Sequence, residues 1–355
     1  MQQYDEHRFP YKWYLKDGYP AKGIEPHNSS VFGTFICGGG SSMGYKLAGF
    51  HHLGGVELDP EVAKVYKQNH HPEYLYNMDI REFNELQDLP AELYQLDLLD
   101  GSPPCSTFST AGSRDKAWGK EKRFAEGQKL QTLDDLVFVY CDTILKLRPK
   151  CFLLENVSGI IKGNAKSYTK RICQYLQQNG YTVQVFCLNA ATMGVPQSRE
   201  RVFFIGHKVE YKLPKLVLQF NEKPIPFGEI MDKNDKRCTL TDFQMEHWKD
   251  RTPADKSLGD IIMRKEGRLS MFTKPIIQQN QVCNTIDAHS GVFLYDIPRL
   301  INRDELMQIG SFPMDYNNEP RKAEWLIGMS VPPVMTAQIA YQIWVQWISR
   351  INKQK

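Results

Sequence analysis

The chain has 355 residues, of which 41% are hydrophobic, 12% aromatic and 24% charged, and its formal net charge is +3. This composition is typical of a folded globular protein and excludes wholesale disorder. No apolar run is long enough for a transmembrane helix. The eight cysteines form no CxxC pair, which argues against a disulfide framework or a zinc knuckle and indicates a reducing, intracellular setting.

Short apolar runs alternate with helical patterns over residues 31–206. Residues 31–35 predict a strand, a glycine turn follows at 38–40, and residues 43–50 predict a helix. Pro60 then opens a second helix, because proline is favourable in the first turn. Further elements are predicted at 96–99, 151–154 and 202–205 (strands) and at 136–147 (helix). This alternation predicts an α/β fold with a mainly parallel sheet.

The pattern becomes irregular after residue 206, where prolines and mixed charges separate short apolar pieces. Apolar residues at helical spacing return near the C-terminus, from Met335 to Ile348. We therefore predict a larger regular domain at 1–230 with an N-terminal arm at 1–30, a smaller irregular domain at 231–310, and a C-terminal segment with a helix at 311–355.

One cysteine follows a predicted strand in a loop stiffened by prolines. Cys105 comes directly after Pro103 and Pro104, and prolines restrict the backbone. Ligands of parallel α/β sheets bind beyond the carboxyl ends of the strands. An isolated cysteine is more often an inert core residue, but this position makes Cys105 a candidate nucleophile.

Charged motifs stand at the end of one predicted strand and at the start of another. Glu155 opens a Glu-Asn-Val motif, and its carboxylate can act as an acid or hydrogen-bond partner. Arg199 and Arg201 alternate in Gln-Ser-Arg-Glu-Arg, and a guanidinium can donate to a carbonyl or phosphate. Taken alone, the first motif is more often a helix cap formed by Asn156, and the second is more often a surface ion pair. Their order after Cys105 favours a catalytic site.

A glycine turn and two acids suggest a nucleotide-like ligand. The turn at residues 38–40 allows a ligand to approach the backbone. An acid at the end of the second strand, here Glu57, commonly accepts hydrogen bonds from ribose hydroxyls, and Asp79 follows it. Because the glycines do not spell G-x-G-x-x-G, a nicotinamide dinucleotide is disfavoured and another adenosine-containing cofactor is favoured.

Taken in order, these motifs resemble those of the cytosine-C5 DNA methyltransferases, which use S-adenosylmethionine and release S-adenosylhomocysteine. The resemblance extends from Phe32 to about Tyr341. It implies a Rossmann-like methyltransferase sheet with helices on both faces. It also makes residues 1–230 the cofactor-binding and catalytic domain, residues 231–310 a target-recognition domain, and residues 311–355 a hinge with a C-terminal helix that returns to the catalytic domain. By this resemblance the cofactor-binding residues are Phe35, Gly38, Gly39, Gly40, Glu57, Leu58, Asp79, Ile80, Pro104, Leu136, Ser330 and Val331.

The sequence departs from the family pattern at a few positions. Gly33 and Cys37 stand where the first motif of the family has Asp and Gly. Ser106 replaces the Gln that usually follows the nucleophile, and Met329 replaces the Asn of the last motif. Leu58 occupies a position where an aromatic residue often stacks on the adenine. These differences concern the cofactor site more than the catalytic motifs.

The resemblance also implies a mechanism. The Cys105 thiolate attacks C6 of cytosine and makes C5 nucleophilic, while Glu155 holds or protonates N3 and Arg201, helped by Arg199, donates to O2. C5 takes the methyl group, and loss of the C5 proton expels Cys105. The target base must be flipped out of the duplex to be reached.

Two basic segments are predicted to contact DNA. The segment after the Pro-Pro-Cys motif has the pattern of a mobile clamp that closes on phosphates, although a solvated charged loop shows the same pattern. The substrate-binding candidates are Ser109, Arg114, Lys120 and Lys122 in this segment, and Arg264, Lys265 and Arg268 in the irregular domain.

The sequence therefore predicts a monomeric DNA (cytosine-5-)-methyltransferase that acts on a short specific duplex sequence, with no metal and no membrane partner. We expect a cytoplasmic, prokaryotic or phage-encoded modification enzyme with a restriction endonuclease as its genetic partner. Two alternatives stay open: a transfer-RNA methyltransferase with the same motifs, and a catalytically silent DNA-binding relative. Intact Cys105, Glu155 and Arg201 argue against the second alternative.

Overall fold

The computed structural model describes residues 3–104, 136–163, 165–270, 274–288 and 291–353. Several predictions fall on other parts of the chain. The following residues of those predictions lie outside the described ranges: Cys105, Ser106, Ser109, Arg114, Lys120 and Lys122.

The chain divides into two compact units, each assembled from separate stretches of sequence. The sheet unit comprises Tyr19–Asn189, Glu200–Gln219 and Thr336–Lys355. The mixed unit comprises Met1–Gly18, Ala190–Arg199 and Phe220–Met335. The first part of the predicted N-terminal arm is thus grouped with residues 220–335 and not with the sheet.

The described strands are β1 Ser30–Thr34, β2 His51–Val56, β3 Tyr74–Tyr76, β4 Leu98–Gly101, β5 Cys151–Val157, β6 Gln184–Asn189, β7 Gln197–Ser198, β8 Glu200–His207, β9 Ile276–Ile277, β10 Cys283–Asn284 and β11 Phe293–Leu294. The described α-helices are α1 Gly40–Leu47, α2 Pro60–His70, α3 Ile80–Glu85, α4 Leu136–Leu147, α5 Ala165–Gln178, α6 Asp242–Lys249, α7 Leu258–Glu266, α8 Arg303–Ile309, α9 Ala323–Met329, α10 Pro333–Ile343 and α11 Ser349–Lys353. A π-helical turn, Trp344–Ile348, separates the last two helices and interrupts the helical pattern expected there. In the part of the chain that the structure describes, no helix is long and apolar enough to cross a lipid bilayer.

The large sheet confirms the predicted α/β fold. Its seven described strands lie in the order β3-β2-β1-β4-β5-β8-β6, and among them only β8 runs antiparallel to its neighbours. The chain moves outward from β1 to β3 and then returns to β4 on the other side of β1. Such a switch point in a parallel sheet is where ligands bind, beyond the carboxyl ends of the strands.

Local sequence explains where two helices of the sheet unit begin. The side chain of Asp59 accepts two backbone N–H groups at the start of α2, and Pro60 occupies the first helical position. Asp79 caps α3 in the same way. Asp59 and Asp79 thus fix the starts of the two helices that follow β2 and β3.

Helix α4, predicted over residues 136–147, anchors the middle of the sheet. Tyr140 is fully buried, and its hydroxyl lies 2.9 Å from the carbonyl oxygen of Leu99 and 2.8 Å from that of Leu153. A Cβ atom on Gly101 would come within 2.3 Å of the Tyr140 ring. The ring therefore fixes α4 against the ends of β4 and β5 and requires glycine at position 101.

The mixed unit has short elements and a small core, in line with its proline-rich sequence. β7 pairs with β10 and β9 pairs with β11, and each pair has two residues per strand. Apolar side chains of α7 pack with those of the β9–β11 pair, and this core contains Leu258, Ile261, Ile262, Ile276 and Phe293.

Candidate active site

The carboxyl ends of β4 and β5 and the amino end of β8 lie at one edge of the large sheet. Because β8 is antiparallel to β5, Arg201 lies opposite Val157, two residues after Glu155. Nε of Arg201 is 3.1 Å from Oε1 of Glu155, and the two side chains are only 15% and 11% exposed. Two motifs separated by more than 40 residues of sequence thus form one ion pair.

The surroundings of this pair shift the pKa of its arginine. Burial lowers the pKa of Arg201, and the negative charge of Glu155 opposes that effect. A guanidinium stays protonated at neutral pH even so. Nη1 of Arg201 also donates to the carbonyl oxygen of Glu200 at 2.8 Å, which orients the group. A carboxyl group beside an oriented guanidinium can bind the polar edge of a planar base.

Asn156 connects the Glu-Asn-Val motif to the loop that leads to the predicted nucleophile. It is buried, and its Nδ2 donates to the carbonyl oxygen of Pro103 at 3.4 Å, while its Oδ1 accepts the N–H of Val157 at 2.9 Å. The helix-cap interpretation of Asn156 is wrong, because β5 continues through Val157. Asn156 thereby holds the loop at Pro103, next to the Glu-Asn-Val motif.

Asp100 is a buried acid that the sequence analysis did not select. It ends β4 with 3% of its surface exposed, and its Oδ1 accepts the hydroxyl of Tyr45 at 2.9 Å. Burial, with a contribution from the charge of Glu155, raises the pKa of Asp100 to about 7, although the Tyr45 hydrogen bond opposes this. The sequence signal that could have identified Asp100 is an acidic residue within an otherwise apolar strand.

The predicted cofactor turn joins β1 to α1. Gly39 has a φ of +79°, and a Cβ atom there would come within 2.1 Å of the His70 ring, so only glycine fits. Phe35 and Cys37 also adopt left-handed φ values, 55° and 47°. Cys37 therefore takes the conformation that glycine would favour at the family position it replaces.

The carboxylate of Glu57 is fixed from two sides. Its Oε2 accepts the backbone N–H of Cys37 and its Oε1 accepts that of Asp59, both at 2.9 Å. Burial raises the pKa of Glu57, and these N–H donors oppose the rise. Leu58 is 37% exposed beside it. A fixed acid next to a glycine turn fits the ribose and the backbone-facing part of an adenosine-containing cofactor.

The other predicted cofactor residues fall in both units. In the sheet unit, Asp79 caps α3, Ile80 is buried behind it, and Leu136 begins α4 with its side chain buried. Ser330 and Val331 follow α9 in the mixed unit and are buried as well. Among the described residues, no group of three or more His, Cys, Asp or Glu side chains could hold a metal ion.

Arg199 makes different contacts from Arg201. It belongs to the mixed unit and is buried, and its guanidinium donates to the carbonyl oxygens of Ile286 (3.0 Å) and Gly328 (2.7 Å). Neighbouring Gln197 bonds the backbone N–H of Ile286 and the carbonyl of Ile309, both at 3.1 Å. These contacts connect Arg199 to the backbone of the mixed unit.

The basic candidates of the irregular domain have acidic partners. The ion pairs are Arg264–Asp255 (2.8 Å), Lys265–Asp250 (2.6 Å) and Arg268–Glu266 (2.6 Å). A DNA phosphate would compete with these carboxylates for the same cations.

Comparisons with known proteins find relatives over most of this chain. A family model described as C-5 cytosine-specific DNA methylase matches residues 31–344. The Type II methyltransferase M1.HphI of Haemophilus parahaemolyticus is 27% identical over 86% of this chain and 84% of that protein. M.NgoPII of Neisseria gonorrhoeae, also a Type II methyltransferase, is 29% identical over 71% and 67%. A putative DNA modification methyltransferase from an E. coli prophage shares the fold, with a TM-score of 0.68 and 18% identity over 90% of this chain and 99% of that chain.

Proposed function

Because the chain belongs to the C-5 cytosine-specific DNA methylase family, we propose that it transfers a methyl group from S-adenosylmethionine to C5 of a cytosine within a short specific sequence of duplex DNA. The observation that carries this proposal is the Glu155–Arg201 ion pair beside the Pro-Pro loop. The Type II relatives support a modification role with a restriction endonuclease as genetic partner.

The chemistry requires a covalent step, because C5 of cytosine is too weak a nucleophile to take a methyl group directly. The Cys105 thiolate forms a bond to C6, and the C5=C6 electron pair moves to C5. Glu155 protonates or holds N3, and Arg201 donates to O2, so both stabilise the added electron density. After C5 gains the methyl group, loss of the C5 proton restores the double bond and expels the Cys105 thiolate.

The observed contacts prepare these residues before the substrate arrives. The ion pair holds the Glu155 and Arg201 side chains in fixed orientations, and Asn156 holds the loop through Pro103. Fixed donors need no reorganisation when charge develops on the base, which is the main source of electrostatic stabilisation in enzymes. The target cytosine must leave the helix to reach them.

The residues around the glycine turn fit the cofactor. When bound, S-adenosylmethionine supplies a methyl group activated by a sulfonium centre. Glu57 would accept the ribose hydroxyls. A Glu57→Ala variant should bind S-adenosylmethionine about 10- to 100-fold more weakly by calorimetry, because a charge-assisted hydrogen bond is lost. Glu61→Ala in the first turn of α2 is the control. Equal affinity of wild type and Glu57→Ala would contradict the ribose assignment.

The remaining assignments complete the proposal. Residues 231–310 would read the target sequence in the duplex, and residues 311–355 would form the hinge and the helix that returns to the catalytic domain. We further propose a monomer that acts in the cytoplasm of a prokaryote or is encoded by a phage, since the relatives reported above are bacterial or prophage enzymes.

The direct test is transfer of a labelled methyl group from S-adenosylmethionine to two substrates, a duplex DNA library and transfer RNA. We expect label in DNA at C5 of cytosine, none with Cys105→Ser, and retained DNA binding by that variant. Label in transfer RNA alone would establish the RNA-modifying alternative. Binding of DNA without label from the wild type would indicate the silent relative.

A further inference from the structure

A buried hydrogen bond joins the strand before the Pro-Pro-Cys loop to the helix after the cofactor turn. Tyr45 of α1 is fully buried, and its hydroxyl donates to Asp100 at the end of β4 over 2.9 Å. A buried carboxyl group destabilises a protein relative to an apolar residue unless its partner compensates. Stability alone therefore does not explain an acid at this position.

Asp100 is held firmly on its strand. Oγ1 of Thr34 donates to the Asp100 carbonyl oxygen at 3.1 Å, and the N–H of Ser102 donates to the carbonyl of Thr34 at 3.4 Å. A Cβ atom on Gly101 would come within 2.7 Å of the Thr34 hydroxyl. The chain immediately before Pro103 thus has little freedom, so a shift of Asp100 would move the loop that follows.

Tyr45 is held equally firmly on its helix. The N–H of Met43 donates to the carbonyl of Gly39 at 2.9 Å, which connects the helix to the turn. Gly39 in turn lies against the buried His70 ring. A contact made by Tyr45 is therefore transmitted to the cofactor turn through one short rigid helix.

β1 and β4 are adjacent parallel strands, so the cofactor turn after β1 and the loop after β4 begin side by side. Asp100 lies opposite Gly33 in the parallel register, and Gly33 stands where the first motif of the family has its Asp. In this protein β4 thus supplies a carboxylate at the level of the sheet where β1 supplies one in the family motif.

We propose that the Asp100–Tyr45 hydrogen bond is a positioning contact that fixes the cofactor turn relative to the loop of the nucleophile. This inference rests on the proposed function, since it gives the two segments roles in one reaction. Neither side chain is assigned a contact with cofactor or base. Methyl transfer requires donor, C5 and thiolate to be aligned, and an error of about 1 Å can slow such a step about 100-fold.

The test is a double-mutant cycle of Tyr45→Phe and Asp100→Ala in the full chain, measured as single-turnover methyl transfer to duplex DNA at saturating cofactor and DNA. We expect each single variant to be slowed about tenfold or more, and the double variant to be no slower than the slower single variant. Asp100→Asn, which keeps an acceptor for the Tyr45 hydroxyl, should recover most of the rate. Unfolding in urea reports stability separately.

The matched control is another tyrosine–aspartate bond of the sheet unit. The Tyr175 hydroxyl donates to Oδ1 of Asp142 at 2.6 Å on an exposed surface. Tyr175→Phe and Asp142→Ala should transfer methyl groups at the wild-type rate. If Asp100→Ala does not fold, the comparison of Tyr45→Phe with Tyr175→Phe decides alone, since both keep the aromatic ring.

Independent effects of Tyr45→Phe and Asp100→Ala on the rate would overturn the positioning proposal, as would a wild-type rate for Tyr45→Phe. In both cases the wild-type enzyme is active, so the proposed function stands. A wild-type protein that transfers no methyl group to DNA would instead refute the proposed function, and the positioning proposal with it.

Discussion

Each compact unit contains an arginine–glutamate ion pair, and the two pairs differ in how deeply they are buried. In the sheet unit, Arg201 contacts Glu155 through Nε at 3.1 Å, and both side chains keep some exposure. In the mixed unit, Arg299 contacts Glu305 through two nitrogens, at 2.8 Å and 2.6 Å, and the side chains are 2% and 1% exposed.

The difference in exposure bears on which of the two pairs could bind a substrate. Glu305 also accepts the backbone N–H groups of Asn302 and Asp232, both at 2.9 Å, so four donors occupy its two oxygens. Such a carboxylate has no further acceptor capacity, and it stabilises the start of α8. The Glu155–Arg201 pair lies at a strand edge with part of its surface open. The same two side-chain types are thus structural in the mixed unit, and in the sheet unit they form the pair for which we propose a catalytic role.

The largest effect should come from Glu155→Gln, which removes the charge and the proton but keeps the shape. We expect methyl transfer to fall about 10²- to 10⁴-fold, the usual contribution of an acid–base group, with nearly unchanged thermal unfolding. The control is Glu200→Gln, an exposed neighbour that pairs with Lys162 and should leave the rate unchanged. A fully active Glu155→Gln variant would remove Glu155 from the mechanism.

The converse change is Arg299→Met, which strands a buried Glu305. We expect a loss of roughly 3–5 kcal/mol in the free energy of unfolding, since breaking one side of a buried pair leaves an uncompensated charge. Urea denaturation measures it. Arg268→Met, which removes an exposed pair with Glu266 in the same unit, should shift the midpoint much less. Equal shifts would contradict the distinction between the two kinds of pair.

Arg199→Met separates packing from catalysis within one motif. The carbonyl oxygens of Ile286 and Gly328 lose their donors, so we expect a loss of roughly 1–3 kcal/mol in stability. The methyl-transfer rate per folded molecule should stay close to that of the wild type. A slower rate at full stability would restore the sequence-based hypothesis that Arg199 helps Arg201.

The sequence predicted the parts of the fold and site that follow from local pattern. The parallel sheet and α4 at residues 136–147 were accessible in this way. The meeting of Glu155 with Arg201 was not, because it depends on β8 running antiparallel to β5, which brings the start of β8 to the end of β5. The Asp100–Tyr45 bond and the saturated Glu305 depend on register and on packing between distant segments, which periodicity does not encode. The nucleophile assignment of Cys105 stays a prediction.

A third buried acid, Asp100, should make stability depend on pH. Its pKa is raised to about 7 by burial, so its stabilising contribution is complete below the unfolded-state pKa of about 4 and is lost as the pH rises through about 7. The groups around it are Tyr45, Tyr66, Tyr140 and Glu155, and burial raises the pKa of all three tyrosines, which stay neutral in this range.

The measurement compares wild type with Asp100→Asn in urea at a series of pH values. We expect the wild type to lose stability relative to the variant as the pH rises from about 5 to about 8. A constant difference across that range would show that Asp100 does not titrate there.

The smallest effect should come from the basic residues of α7 and the turn after it. A free cation that binds a phosphate lowers the salt slope of DNA binding by about one when it is removed. Arg264, Lys265 and Arg268 already have acidic partners, so Gln at each should leave the slope nearly unchanged. A drop of about one per substitution would establish them as phosphate contacts.

The most direct test of the central claim is covalent trapping on duplex DNA that carries 5-fluorocytosine, with S-adenosylmethionine present. Fluorine at C5 blocks the final elimination, so an enzyme that works through a C6 adduct stays attached. We expect an adduct that maps to Cys105 in the wild type and is greatly reduced in Glu155→Gln. Methylation of ordinary cytosine DNA without any adduct on the fluorinated DNA would contradict the account.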